Sequence, residues 1–242
     1  MSVRFKTSRT YLETLLPSDS FGFRDRSTVC QASFSVTTLD SEYSHFGLYI
    51  HGVEYRKKDG TTIEGSYLPF LLESPADSCI SQIEDLAMSD LTCNIEVARN
   101  GDSYRVEASW GGTKFAEIAL SNLQLNDPGL EKGSVGGEDG YDILAYRDAS
   151  EVDTPATGDG SFAVVLPQGG EPNSTLMGVR QVWRSSEASV KISGGDWELL
   201  PTLHHITSAL AEIPTYEVTG AKIVEGTGVP NIYTGRHVEE GA

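Results

Sequence analysis

His51 is the residue whose setting best suits acid–base chemistry. It lies in the middle of a predicted strand, and strand alternation places Tyr49, Val53 and Tyr55 on the same face as its imidazole. Because histidine titrates near neutral pH, it can both accept and donate a proton under physiological conditions. A buried histidine with a purely structural role fits the same pattern, so both interpretations stay open at this stage.

Other reactive residues have settings that argue against catalysis. Lys57 and Lys58 could lower each other's pKa, but they begin a polar hairpin turn, where water hydrates them. His204 and His205 are adjacent on a predicted helix, whereas metal binding by one helix face needs histidines about four residues apart. The sequence also lacks the phosphate-loop, nucleophile-elbow and zinc-protease motifs. We therefore expect no metal ion and no organic cofactor.

Two residues of a later strand suit substrate binding. Arg180 and Arg184 alternate with Trp183, so one face of that strand carries both arginines. Such a face could hold a carboxylate or a carbonyl oxygen by charged hydrogen bonds. An exposed strand face explains the same pattern nearly as well.

The charge of the chain excludes several classes of partner. Its 242 residues include 18 Lys and Arg and 35 Asp and Glu, which gives a net charge of −17. Nucleic acids and anionic membranes bind through Lys and Arg, so we expect neither as a partner. The three cysteines form no CxxC pair, and no apolar run has the length of a signal sequence or a membrane span. These features predict a reduced, cytoplasmic protein.

Strand patterns dominate the chain, and two helices are predicted. The first helix begins after Ser8 and ends at Pro17, and the second covers residues 201–212. Residues 124–160 hold nine acidic and two basic side chains with repeated glycines, which is typical of a surface insertion. We expect one mostly-β domain over residues 1–242, a barrel or sandwich, with that insertion and a loosely ordered tail from residue 225. The predicted strands cover residues 33–37, 46–55, 67–72, 93–99, 104–110, 114–120, 162–166, 176–183, 189–192 and 215–224, and residues 81–87 could form one or two helical turns.

The order of these elements resembles the acetoacetate decarboxylase family. Members carry Gly-Asp-Tyr where this chain has Gly65-Ser66-Tyr67, and then a Gly-Arg-Glu motif whose glutamate matches Glu84. The resemblance implies a mostly-β (α+β) fold, an antiparallel β-cone or barrel with two or three short helices. It also implies a small-molecule substrate and, since members tend to assemble, a homo-oligomer. The matching segments are residues 46–51, 63–68, 81–90, 162–167, the long strand through Trp183 and residues 199–210.

The catalytic lysine of that family is missing from this chain. In the family, a lysine six residues after the motif's glutamate forms a Schiff base with a β-keto acid, and a second lysine beside it lowers its pKa. Those positions are Asp90 and Leu91 here, and a carboxylate cannot form an imine. The family's active-site glutamate aligns with His51. The resemblance therefore implies that His51 and Asp90 face one cavity as an acid–base pair.

These substitutions predict a lyase or isomerase that works without a lysine. Its expected substrate is a carbonyl-containing intermediate of secondary metabolism, of polyketide or terpenoid type, which proton transfer dehydrates, isomerises, cyclises or decarboxylates. The predicted catalytic residues are His51, Asp90 and Glu84, and the predicted substrate contacts are Tyr49, Tyr67, Arg180 and Trp183. Two alternatives stay open. One is a non-catalytic binding or carrier protein with the same cavity, and the other is an enzyme with a displaced nucleophile such as Lys114.

Overall fold

The computed structural model describes residues 1–39, 43–74, 91–130, 141–147, 162–166, 178–227 and 236–238. These ranges contain thirteen strands, a short 3-10 turn at Pro128–Leu130 and two α-helices, α1 (Arg9–Glu13) and α2 (His204–Ala211). The strands are β1 (Ser2–Ser8), β2 (Phe21–Phe23), β3 (Val29–Leu39), β4 (Tyr43–Arg56), β5 (Thr62–Ser74), β6 (Asn94–Asn100), β7 (Ser103–Trp110), β8 (Thr113–Asn126), β9 (Asp142–Arg147), β10 (Phe162–Leu166), β11 (Gly178–Ile192), β12 (Glu217–Thr227) and β13 (Arg236–His237).

All strands of the described chain belong to one sheet. Their order is β13-β10-β9-β5-β4-β3-β1-β12-β11-β8-β7-β6, and β2 pairs with β4 outside this path. The described ladders are antiparallel except that of β5 with β9, which is parallel. The far end of the sheet returns to β5, because the Cys93 amide, just before β6, donates to the Glu73 carbonyl at 2.9 Å. The prediction of a mostly-β, largely antiparallel fold with short helices is confirmed.

Local sequence signals determine two of the chain reversals. The Ser8 hydroxyl accepts a hydrogen bond from the Tyr11 amide at 3.3 Å and caps α1, as its position before the apolar pattern predicts. Between β4 and β5, Gly60 adopts a φ of +85°, which glycine tolerates at little cost. The Asp59 carboxylate accepts from the Thr61 amide at 2.8 Å and fixes the same turn.

The strand pattern was incomplete in two places. No strand is predicted before α1, yet β1 lies between β3 and β12 in the middle of the sheet. Two strands are predicted between residues 176 and 192, whereas β11 is one strand of 15 residues. Ser185, in the polar break between the two predictions, donates to the Ser121 carbonyl of β8 at 2.6 Å, so the strand continues through it. The helical turns predicted at residues 81–87 lie outside the described residues.

Segments predicted as insertion and tail also contribute strands. β9 lies within residues 124–160 and occupies the sheet between β5 and β10. Its Ile143, Leu144 and Ala145 are buried, which agrees with their being the apolar part of that acidic region. After residue 225, β12 continues to Thr227, and β13 pairs with β10. The rest of both regions lies largely outside the described residues.

The sheet buries apolar side chains on both of its faces. The first cluster includes Phe46 and Leu48 of β4, together with Leu12 of α1 and Leu210 of α2. The second cluster lies on the opposite face of β4, β5, β9 and β10, as strand alternation requires. Its members are Tyr49, Leu68, Leu71, Ile143, Ala145, Val164 and Leu166. Side chains on the second face of β4 are therefore covered as well.

Gly65 permits the close parallel pairing of β5 and β9, and we expect Gly65→Ala to destabilise the fold. A Cβ at this position would lie 2.5 Å from the Asp142 carbonyl oxygen and 2.8 Å from Leu144 Cγ. Relieving an overlap with backbone costs about 1–3 kcal/mol of the free energy of unfolding, which urea denaturation measures. Gly22→Ala is the matched control, because a Cβ there meets nothing within 4 Å. Equal stability of the two variants would contradict the prediction.

Candidate active site

A β-bulge at Gly52 places His51 and Val53 on opposite faces of β4. Ile50 pairs with Tyr67 of β5 and Val53 pairs with Gly65, so β4 has one residue more than β5 in this interval. Gly52 takes up the extra residue with a φ of +73°. Consequently Ile50 and Val53 both point into the first cluster. His51 points to the opposite face.

The predicted common face of four residues is therefore wrong in part. His51 shares its face with Tyr49, which belongs to the second cluster. Val53 and Tyr55 lie in the first cluster, on the other side of the sheet. Strand alternation alone could not reveal this, because the bulge reverses the order of inward and outward residues after Gly52.

Two serine hydroxyls hold the imidazole of His51 at both of its nitrogens. Ser33 Oγ lies 2.6 Å from Nε2, and Ser66 Oγ lies 3.0 Å from Nδ1. Ser33 comes from β3 and Ser66 from β5, the two strands that flank β4. His51 is 4 % exposed, and both serines are buried. We call Ser33, His51 and Ser66 the Ser–His–Ser network.

The surroundings keep His51 neutral. Burial is the largest cause that holds the pKa of His51 well below its ordinary value of 6.5, and the positive charges of Arg4 and Arg24 act in the same direction. A neutral imidazole has one N–H and one lone pair in the ring plane. One serine hydroxyl therefore accepts from the ring N–H, and the other donates to the bare nitrogen. The ring is therefore fixed in orientation and uncharged.

The network includes residues that the sequence analysis did not single out. Ser33 alternates with the core residue Phe34, so its outward face was predictable, but its proximity to His51 was not. Arg4 lies directly across from Ser33 in the β1–β3 ladder. Arg24 follows β2 and reaches β4 from the side. These contacts join parts of the sequence that are far apart, and only the sheet order brings them together.

The two tyrosines predicted as substrate contacts lie on opposite faces of the sheet. Tyr49 belongs to the second cluster beside His51, and burial raises its pKa. Tyr67 lies in the first cluster, where its ring is 5.1 Å from that of Phe21. Burial, and then Tyr146, raise the pKa of Tyr67. Of the pair, Tyr49 shares the face of His51 and Tyr67 does not.

Arg180 and Trp183 lie far from His51 along the sheet. Both are on β11, which β3, β1 and β12 separate from β4. Four strand spacings correspond to about 19 Å along the sheet. Arg180 is exposed, and Trp183 packs against the first cluster with the Arg99 guanidinium 4.5 Å from its ring. The structure does not bring these two residues into the Ser–His–Ser network.

Solved structures of known enzymes share this architecture. Acetoacetate decarboxylase from Legionella pneumophila superposes with a TM-score of 0.60 at 12% identity, over 92% of this chain and 78% of that one. The enduracididine biosynthesis enzyme MppR, complexed with pyruvate, gives a TM-score of 0.58 at 11% identity, over 99% and 87%. An acetoacetate decarboxylase-like enzyme from Sphingomonas wittichii gives 0.56 at 16% identity, over 91% and 84%. The chain has the acetoacetate decarboxylase-like fold. No protein-family profile and no curated protein matches the sequence.

Within the acetoacetate decarboxylase-like fold, the segment that aligns with the family's catalytic motif is not described. Asp90 and Glu84 both lie in residues 75–90, outside the described residues. The chain returns at Leu91, whose carbonyl accepts from the Glu73 amide at 3.1 Å. Glu73 is seven residues along β5 from Ser66, or about 23 Å in an extended strand. The roles of Asp90 and Glu84 stay predictions.

Lys114 has the opposite electrostatic setting from a Schiff-base lysine. Its ammonium group donates to Glu117 at 2.9 Å and to Glu107 at 3.4 Å. The hydrogen bond to Glu117 is the largest cause that raises the pKa of Lys114. Imine formation needs an unprotonated amine, so a raised pKa opposes it. Nothing in this setting supports Lys114 as a displaced nucleophile.

A second buried polar cluster lies at the other end of the same β4 face. His45 of β4 lies directly across from Glu73 of β5, and the Tyr43 hydroxyl donates to Glu73 Oε1. His45 Nε2 and Glu73 Oε2 are buried without a hydrogen-bond partner. Burial, and then the charge of the chain's amino group, lower the pKa of His45 to about 4. His45 is buried although it lies in a polar stretch of the sequence, because β4 extends back to Tyr43.

The described part of the chain shows neither a group of metal ligands nor a membrane-spanning helix. Among those residues, no three His, Cys, Asp or Glu side chains are placed to hold a metal ion. No helix there is long and apolar enough to cross a bilayer. The absence of metal, cofactor, nucleic-acid and membrane partners stays a prediction.

Proposed function

We propose that this protein is a lysine-independent lyase or isomerase that acts on a carbonyl-containing small molecule, with His51 as the proton-transfer residue. The observation that carries the proposal is a neutral imidazole fixed at both nitrogens beside two positive charges. The similar structures are those of small-molecule enzymes, and one of them serves a biosynthetic pathway. A secondary-metabolite intermediate is the substrate class that we infer from this likeness.

The chemical step begins with removal of a proton next to the substrate's carbonyl. The serine hydroxyl that donates to the bare nitrogen of His51 turns away, the nitrogen takes that proton, and the electron pair of the C–H bond moves into an enolate. The positive charge of Arg4 stabilises the enolate oxygen, because a fixed charge acts strongly in a buried site. Return of the proton to another carbon completes an isomerisation. Loss of a β-hydroxyl group as water completes a dehydration.

The remaining predicted site residues keep their roles as parts of this proposal. Asp90 would orient or charge His51, and Glu84 would act as a further acid. Tyr49 is the substrate contact that shares the face of His51. Tyr67, Arg180 and Trp183 would contact substrate at a distance from the Ser–His–Ser network.

A non-catalytic binding or carrier protein is the second candidate function. The satisfied hydrogen bonds of His51 favour it, because a buried structural histidine has the same need for two partners. The separation of Arg180 and Trp183 from His51 also fits a ligand site that requires no catalytic base. The two functions differ in whether a bound carbonyl compound exchanges its α-protons.

Hydrogen exchange of pyruvate in D2O tests the proposal. Pyruvate is the probe because it is bound in the MppR structure. We expect the protein to accelerate loss of the pyruvate methyl signal in proton NMR, and borohydride treatment of the mixture to add no mass to the protein. A reduced pyruvate adduct on a lysine would overturn the lysine-independent step. Binding of pyruvate and related 2-oxo and 3-oxo acids without exchange of any of them would establish the carrier function instead.

A further inference from the structure

Arg24 connects three parts of the fold beside His51. Its backbone amide donates to the Gly52 carbonyl at 2.9 Å, immediately after the Phe23–Val53 pair of the β2–β4 ladder. Its guanidinium donates to Glu64 of β5 at 3.1 Å and lies over the ring of Tyr141 at 4.2 Å. The side chain is thus fixed by an ion pair and by a cation–π contact.

The guanidinium of Arg24 lies in van der Waals contact with the position where a side chain of Gly52 would begin. A Cβ on Gly52 would lie 3.7 Å from Arg24 Nη2 and 3.9 Å from Nε. Gly52 also has the positive φ of the bulge, which a residue with a Cβ rarely adopts. The bulge therefore has two contacts with Arg24, the backbone hydrogen bond to the Gly52 carbonyl and the guanidinium beside the Cβ position of Gly52.

We infer that Arg24 is a positioning residue of the Ser–His–Ser network, which holds the Gly52 bulge that lets His51 face Ser33 and Ser66 while Val53 points into the core, and which places a fixed positive charge beside the imidazole. The structural part of this inference stands on the contacts of Arg24, and its effect on catalysis rests on the proposed function. Without the bulge, alternation would direct residue 51 and residue 53 to the same face, and His51 could not meet both serines while Val53 fills the core.

The two charged groups that act on His51 from the described residues, Arg4 and Arg24, both favour an uncharged ring. Arg4 approaches from β1, Arg24 from the end of β2, Ser33 from β3, Tyr49 from β4 itself and Ser66 from β5. No carboxylate acts on His51 from the described residues to offset the two arginines. Glu64 pairs with Arg24, but its side chain is 49% exposed, so water screens it.

Nitrogen NMR of His51 in three variants tests the inference. In the wild type at pH 7 we expect two distinct ring-nitrogen shifts, those of one fixed neutral tautomer. Arg24→Gln removes the charge and the stacking on Tyr141, so we expect the two nitrogen shifts to converge as the ring begins to exchange between states. Arg24→Lys keeps the charge but not the planar contact, and an intermediate spectrum is expected. Arg26→Gln is the control, because it makes the same substitution at an exposed arginine that does not approach Gly52, and its spectrum should match the wild type.

The outcomes separate this inference from the proposed function. A wild-type spectrum in Arg24→Gln would overturn the positioning role, whatever the activity. Converged shifts together with at least a 10-fold slower pyruvate exchange would support both the role and the proposed chemistry. Converged shifts in a protein whose wild type does not exchange pyruvate would support the positioning role and count against the enzyme function. Circular dichroism of each variant checks that the sheet is retained.

Discussion

Replacing His51 with glutamine is expected to slow α-proton exchange at least 100-fold while the dissociation constant for the same ligand changes less than about threefold. A positioned general base contributes about 10²–10⁴ to a rate, and glutamine cannot take up the proton. Glutamine still offers a donor and an acceptor to Ser33 and Ser66, so both serines keep a hydrogen-bond partner at this position. Exchange rates from NMR and affinities from calorimetry measure the two quantities separately.

The exposed His205 provides the matched control for this variant. His205→Gln makes the same chemical change on the surface of α2 and should leave both rate and affinity unaltered. Equal exchange rates in His51→Gln and the wild type would remove His51 from the mechanism. A large loss of affinity without a change in the rate at saturating ligand would indicate that His51 binds the ligand rather than reacting with it.

Features that depend only on residues close together in the sequence were predictable. The Ser8 cap, the Asp59-Gly60 turn and the extent of β10 follow from short patterns, and the structure confirms them. The start of α2 at His204 rather than residue 201 is a modest difference at a helix end, where no side-chain cap fixes the boundary. The mostly-β fold was predictable for the same reason, because each strand has its own alternation.

The candidate site was less predictable because it depends on one bulge and on sheet order. A single extra residue at Gly52 sends His51 and Val53 to opposite faces, and an isolated glycine in a strand only suggests such a bulge. Ser33 and Ser66 carry no chemical signal of their own. They become partners of His51 only because β3 and β5 flank β4. The faces of Tyr49 and Tyr67 likewise follow from register, which the sequence does not state.

The polar residues on the second face of β4 come at a cost in stability. His45 Nε2 and Glu73 Oε2 are buried without partners, and each such atom costs about 1–3 kcal/mol compared with a satisfied or solvated one. The two serines satisfy the hydrogen bonds of His51, so this residue avoids that cost. The fold nevertheless keeps its imidazole uncharged, whereas in water the imidazole would take up a proton near pH 6.5. Because the fold keeps both histidines neutral, they should take up protons in the unfolded chain at a higher pH than in the folded chain.

The two histidines are therefore expected to lower the stability of the protein as the pH drops below 6.5. The folded-state pKa of His45 is about 4 and the ordinary value is 6.5, so between these values the unfolded chain binds the proton and the folded chain does not. Uptake of that proton stabilises the unfolded state, and stability rises with pH in this window. From pH 7.5 to pH 5.5, His45 alone should lower the free energy of unfolding by about 1.4 kcal/mol. His51, whose pKa is also lowered, acts in the same direction.

Urea denaturation at pH 7.5, 6.5 and 5.5 measures the slope of the free energy of unfolding against pH. The decisive quantity is the change of this slope in His45→Gln and in His51→Gln. Each substitution removes one titrating group, so each should flatten the slope even if it also changes the stability at pH 7.5. The lowered pKa of Glu117, about 2, affects stability only below its ordinary value of 4.5, so it lies outside the window. His205→Gln is the matched control, because it makes the same substitution at an exposed position of α2. Slopes that are identical in the wild type and His45→Gln would mean that His45 takes up its proton without unfolding, and the buried end of β4 would then have to open to water below pH 6.5.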